Sequence, residues 1–135
     1  MSSTASKFDL LERAFLNSEQ KTKTMIEVHT AFLRGKIVAI CEAILNEEIG
    51  VIAGSRRLNH LGYELDLDCD EDFLTFVAIN SETDHLPVDS ERRNWSVEAL
   101  ERKDKEIAES EAAYKDHAIE SCKKLIARFD LKSGI

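Results

Sequence analysis

The chain has 135 residues, 43% hydrophobic and 33% charged, with five glycines, one proline and a formal net charge of -8. That balance is too apolar for a disordered chain, and the length suits one core burying roughly two-thirds of the unfolded surface. The acidic sign disfavours binding nucleic acid through its phosphates, and no stretch approaches the roughly 20 apolar residues of a membrane span.

The polar start Met1-Ser-Ser-Thr4 lacks a signal-peptide core, so the expected compartment is the cytoplasm. Cys41, Cys69 and Cys122 are odd in number and show no C-x-x-C spacing, which favours neither a disulfide framework nor a thiolate zinc site. Cys41 and Cys122 fall at apolar helical positions and read as small core residues.

In chain order, Phe8, Leu11, Ala14, Phe15 and Ser18 recur at helical spacing and predict an amphipathic helix over residues 6–20, capped near Ser6. A second, stronger stripe opens after Thr24. It runs through Met25, Val28, His29, Phe32, Leu33, Ile37, Ile40, Cys41, Ile44, Leu45 and Ile49, as a core-facing helix would. Within it, His29 reads as a core histidine, and Gly35 reads as close helix contact or a tolerated accident. Residues 46–50 end or bend this helix. A shorter helix follows over 51–61, with Gly62 as its C-terminal cap and Arg56, Arg57 and His60 together on one side.

Tyr63 to Cys69 alternates apolar and acidic residues in a strand-like way, and Phe73 to Ile79 is an apolar run that suits helix or strand. The acids before Phe73, with Asp68-x-x-Glu71 as a capping box, favour loop then helix over a hairpin. Pro87 forces Leu86 into an extended conformation and marks a loop through Asn94. Ser96 then caps a last helix over 97–129, with Trp95 as a hydrophobic staple. At 1.5 Å per residue that helix is on the order of 50 Å long. Asp104 and Glu111 interrupt its apolar seam where the helix leaves the core. The predicted fold is therefore all-α: a single-domain antiparallel helical bundle over 1–135 with one long C-terminal helix and frayed ends at 1–5 and 131–135. The alternative is α+β, with a small hairpin over 63–79.

The charge is unevenly placed. Ten carboxylates and no Lys or Arg lie between Glu64 and Glu91, while the rest of the chain, with 18 Lys and Arg against 16 acids, sums to +2. A basic protein partner or a metal ion fits that sign. Asp66-x-Asp68-x-Asp70-x-Asp72 opens like a calcium loop but has Glu71 where the turn needs glycine and Val77 where a bidentate glutamate is required. Glu82-x-x-His85 has the spacing of a di-iron carboxylate motif, yet only one copy exists and Pro87 follows at once. Glu98-x-x-Glu101, Glu101-x-x-Asp104 and Glu106-x-x-Glu109 lie on one charged helix with no answering metal-binding helix, as solvated faces do. Ser81 near Asp84 and His85 has no glycine elbow to present a nucleophile, and Arg57-x-x-His60 is too short for the motif of helical ribonucleases. In the structural alternative, Glu82 and Asp84 bond to Arg92, Arg93 or Arg56 and fix the proline loop.

The run from Asp72-Phe73 through Phe76-Val-Ala-Ile79-Asn-Ser-Glu-Thr-Asp-His-Leu-Pro-Val88 to Arg92, Trp95, Ala99-Leu100, Glu106-Ile107 and Glu111 resembles a group of short bacterial proteins with no assigned function. The likeness spans most of residues 35–129, and Ser81-Glu-Thr-Asp84 with Leu86-Pro87 is its specific part. The resemblance implies a bacterial origin and an all-α fold, and supplies no catalytic residue. Asp89 stands where the group more usually has glycine, which puts a tight turn there in question.

The sequence thus predicts a non-enzymatic, acidic protein-binding module, of which an immunity protein against a basic toxin is an example, existing as monomer or homodimer. The alternative is a divalent-metal-dependent hydrolase on a helical bundle. Candidate binding residues are Glu82, Asp84, His85, Arg92, Arg93 and Trp95, with Asp66, Asp68 and Asp70 in the acidic run. No catalytic residue and no cofactor is assigned; Glu82, Asp84 and His85 are the candidate metal ligands.

Overall fold

A computed structural model describes residues 7–130, apart from the side chains of residues 7–9 and 16. The predicted cap at Ser6, the contribution of Phe8 and the two frayed ends lie outside the described residues. The described chain is all-α: α1 (Lys7–Leu45), α2 (Val51–Glu64), α3 (Leu74–Thr83) and α4 (Val97–Phe129), with 3-10 helices at Glu71–Phe73 and Asp89–Asn94. No strand occurs among the described residues, so Tyr63 to Cys69 is not a strand. The described residues divide into two compact units, 7–32 and 33–130.

The larger unit holds the core. Leu33, Ile37, Cys41 and Ile44 of α1 pack with Leu58 and Leu61 of α2, Phe76 and Ile79 of α3, and Ala118, Cys122, Leu125 and Phe129 of α4. Phe73 is fully buried, its ring centroid 6.5 Å from that of Phe129 in a tilted arrangement. Each such aromatic or aliphatic side chain contributes roughly 1.5–3 kcal/mol on burial. Two glycines let α2 approach its neighbours. A Cβ on Gly54 would lie 2.5 Å from Ile44 Cδ1, and one on Gly62 would lie 2.7 Å from Phe73 Cδ1. Gly62 is therefore inside α2 as a packing site and is not its C-terminal cap. Gly35 has no such duty, because a Cβ there meets nothing within 4 Å.

The helix ends show how the chain turns without glycine. At the end of α2, Asp66 N–H donates to Tyr63 O (3.1 Å) and Leu67 N–H to Gly62 O (2.7 Å), the pairing of a Schellman motif. Asp66 takes the left-handed position, with φ 57°. The end of α1 repeats this through Glu47 at φ 60°, whose N–H donates to Ile44 O while Glu48 N–H reaches Ala43 O. Asp89, at φ 54°, makes the turn after Pro87-Val88 that a glycine would make more easily. The cap before α3 is Asp70, which accepts from Asp72 N–H at 3.0 Å, two residues beyond the predicted Asp68. Ser96 caps α4 as predicted, its Oγ accepting from Ala99 N–H at 3.1 Å.

The smaller unit carries a single described helix segment. The break predicted near residues 20–24 is absent, since α1 runs through. No Gly or Pro interrupts 17–24, and the hydroxyls of Thr22 and Thr24 donate back to Ser18 O and Gln20 O, each at 3.0 Å, which accommodates them inside a helix. The core-facing stripe predicted from Met25 onward begins only at Leu33. Met25, Val28, His29 and Phe32 are exposed, so His29 is not a core histidine.

Candidate functional site

The corner between α3 and α4 is assembled by arginines from outside it. α3 ends at Thr83, whose buried hydroxyl donates to Ile79 O at 2.6 Å, and Leu86 and Pro87 are buried just beyond. The last carbonyls of a helix lack partners within it. Arg56, reaching from α2, adds a donor at this end: its Nη2 donates to Thr83 O, the last carbonyl of α3, at 2.6 Å and to Leu86 O in the loop at 2.7 Å. Its Nη1 also meets Glu91 Oε2 at 3.1 Å, and only 18% of the side chain is exposed. On the far side Arg92 makes a two-pronged contact with Asp104 of α4 (2.6 and 3.0 Å) and touches Pro87 O at 3.5 Å. Arg92 holds the Asp104 carboxyl below the usual carboxylate range, and Asp104 pushes Arg92 up in return.

Glu82 and Asp84 are not the residues that fix this loop. The Glu82 side chain is exposed and hydrogen-bonds to no described residue, and Asp84 comes no closer than 4.0 Å to His85 Nδ1. The demand they were expected to meet is met by carbonyl oxygens, Glu91 and Asp104, because α2 and α4 flank the loop and the 82 and 84 side chains lie at its solvent edge. His85 Nε2 stands 2.7 Å from Glu106 Oε1; with Nε2 protonated the ring donates. That contact, with Lys103 alongside, holds Glu106 below the usual carboxylate range. Arg93 is exposed, and Trp95 is 37% exposed in an extended conformation. Among the described residues no three His, Cys, Asp or Glu side chains, Glu82, Asp84 and His85 included, are grouped so that they could hold a metal ion. Glu111 of α4 is engaged at another helix: its carboxylate accepts from Val51 N–H (2.6 Å) and Ile52 N–H (3.0 Å) at the start of α2.

Arg56 and Arg57 also line an open cleft of about 620 Å³ with Lys36, His60, Asp89 and Glu91. Sequence spacing placed Arg56, Arg57 and His60 on one side of a helix, but only the structure supplies the facing wall. That wall matches the arginines: Arg57 meets Asp89 at 3.3 Å and Arg56 meets Glu91, while His60 meets Glu64 of its own helix at 2.9 Å.

The turn between α2 and α3 carries the other candidate group. Asp70 and Asp72 both pair with Arg128 of α4, at 2.8 and 3.0 Å, and Arg128 holds the Asp70 carboxyl below the usual range. Asp70 is thus a structural residue, cap and ion pair together. Asp66, Asp68 and Glu71 are exposed and pair with no cation among the described residues. They stand on a turn fixed at one end by the Schellman motif and at the other by Asp70.

Fold and site together define an all-α helical-bundle protein whose Arg56, Arg92 and Arg128 are matched by its own acceptors, with Asp66, Asp68 and Glu71 exposed on one turn. The chain belongs to the family described as a protein of unknown function (DUF2489), which it matches over residues 5–125. Comparison with curated proteins and with solved structures gives no match.

Proposed function

We propose that the chain is a non-enzymatic protein-binding module that offers the turn between α2 and α3 to a basic partner. The observation that carries this reading is the set Asp66, Asp68 and Glu71, exposed and in no ion pair among the described residues while most of the surrounding acids are matched internally. Three unmatched carboxylates on a pre-ordered turn attract a cationic surface without first having to order the backbone. Asp70, one of the candidate binding residues, drops out of the contact set because Arg128 already occupies it.

The test uses a lysine-rich peptide as probe, titrated by calorimetry at low and at physiological salt. The triple variant D66N/D68N/E71Q is expected to lose binding, and wild type to weaken as salt rises. The control E98Q/E101Q/E109Q makes the same charge change on the exposed face of α4. If both triple variants weaken the complex equally, only net charge matters and the turn is not the site.

A further inference from the structure

From residue 10 to residue 32 every described side chain is exposed except the half-buried Thr30. Many are large and apolar: Leu10, Leu11, Phe15, Met25, Ile26 and Val28 are each 56–72% exposed. The apolar residues share one broad side of α1. Along it, positions 11, 15, 18, 22, 25, 29 and 32 alternate spacings of four and three, the 3.5-residue repeat of a seam between two helices.

We infer that a second copy of this chain packs along this seam, joining two α1 helices over residues 10–32. Three observations favour a second copy over another occupant. With side chains of roughly 200 Å², the uncovered apolar surface is on the order of 800 Å² per chain, which is what each partner contributes to a stable interface. That exceeds the apolar patch a monomer usually leaves bare. Second, the small polar positions Ser18 and Thr22 sit near the middle of the seam, so a copy laid parallel sets these two and His29 each against itself, and the apolar positions against apolar ones. Third, the Thr22 hydroxyl is already satisfied by Ser18 O at 3.0 Å, so covering it leaves no donor stranded. Most helical stability in proteins comes from packing an apolar face, and pairing supplies the burial that the helix's own unit does not.

The seam is separate from the acidic turn, and its test does not depend on the peptide titration. Sedimentation equilibrium of the full chain at micromolar concentration should return the mass of a dimer. The variant F15E/M25E should return the monomer mass, while Q20K/E27K on the opposite side of the helix stays dimeric. Should the double glutamate variant fail to fold, F15S/M25S serves instead and weakens the dimer by about 100-fold or more in Kd. A wild-type chain that sediments as a monomer overturns the inference, and so does a dimer that survives F15E/M25E or F15S/M25S.

Discussion

Replacing Glu111 by alanine should destabilise the fold by about 2–4 kcal/mol, although the residue sits half-buried on a charged helix far from α2 in sequence. The cost follows from what the carboxylate does. α2 begins at Val51 behind Gly50, which has no side chain with which to cap it. Both oxygens of Glu111 close on the first amides, at 2.6 and 3.0 Å, and Val51 and Ile52 are themselves buried. A hydrogen bond to a charged acceptor contributes roughly 1.5–3 kcal/mol, and a carboxylate at a helix start adds about 0.3–1 kcal/mol more. Water reaches the half-exposed carboxylate position and recovers part of this, which sets the lower bound. E111Q keeps one acceptor oxygen and should cost about half as much. Gly50 belongs to the same arrangement, because a Cβ there would come within 2.8 Å of Glu111 Oε1. Urea unfolding followed by circular dichroism, with E109A as surface control, measures the shift at constant slope. An E111A midpoint indistinguishable from that of E109A would refute the reasoning.

One substitution should act in opposite directions at two glycines. G35A should stabilise by about 0.5–1 kcal/mol, since the helix is regular there and the new methyl meets nothing, whereas G54A should cost about 1–3 kcal/mol by driving into Ile44; both are read from the same urea curves. Because Arg128 lowers the folded pKa of Asp70, that pairing stabilises the protein above the unfolded carboxylate pKa and is lost as pH falls through the lower folded value. Melting temperature should therefore fall less steeply below about pH 4 in R128M than in wild type, and equal slopes would contradict the assignment. Of the three thiols only Cys69 is exposed, while a hydrogen bond with Cys122 and then burial push the Cys41 thiol up. A thiol reagent should accordingly titrate one cysteine in the native protein and the rest only on unfolding; more than one fast thiol would count against the packing of α1 on α4.

Much of the fold was legible because its signals are local. The Ser96 cap, the bounds of α4, the helical choice for the run Phe73 to Ile79 and the corner at Pro87 each depend on residues within a few positions of one another. What could not be read depends on distant partners. Periodicity says which face of α1 is apolar but not what covers it, so the stripe at Met25, Val28 and Phe32 looked like the stripe at Leu33 and Ile37, although only the latter reaches the core. Proximity in sequence made Glu82 and Asp84 the natural partners for the loop arginines. Arg56 and Asp104, arriving from other helices, are better placed than anything the loop carries. Glu111 looked like the point where a helix leaves the core, because an acidic residue that caps another helix leaves the same trace as one facing solvent. At Asp66 and Asp89 the left-handed backbone was hidden for a related reason: aspartate tolerates it, so no glycine marks the turn.

The grip of Arg56 on two carbonyls has a further consequence for how the molecule breathes. One guanidinium holds both the last turn of α3 and the segment that leads to α4, so the two cannot loosen independently. Opening the proline corner releases the end of α3, and fraying of α3 frees the corner. In hydrogen exchange the amides of both stretches should therefore open as a single cooperative unit with a common free energy, and R56M should split that unit into two.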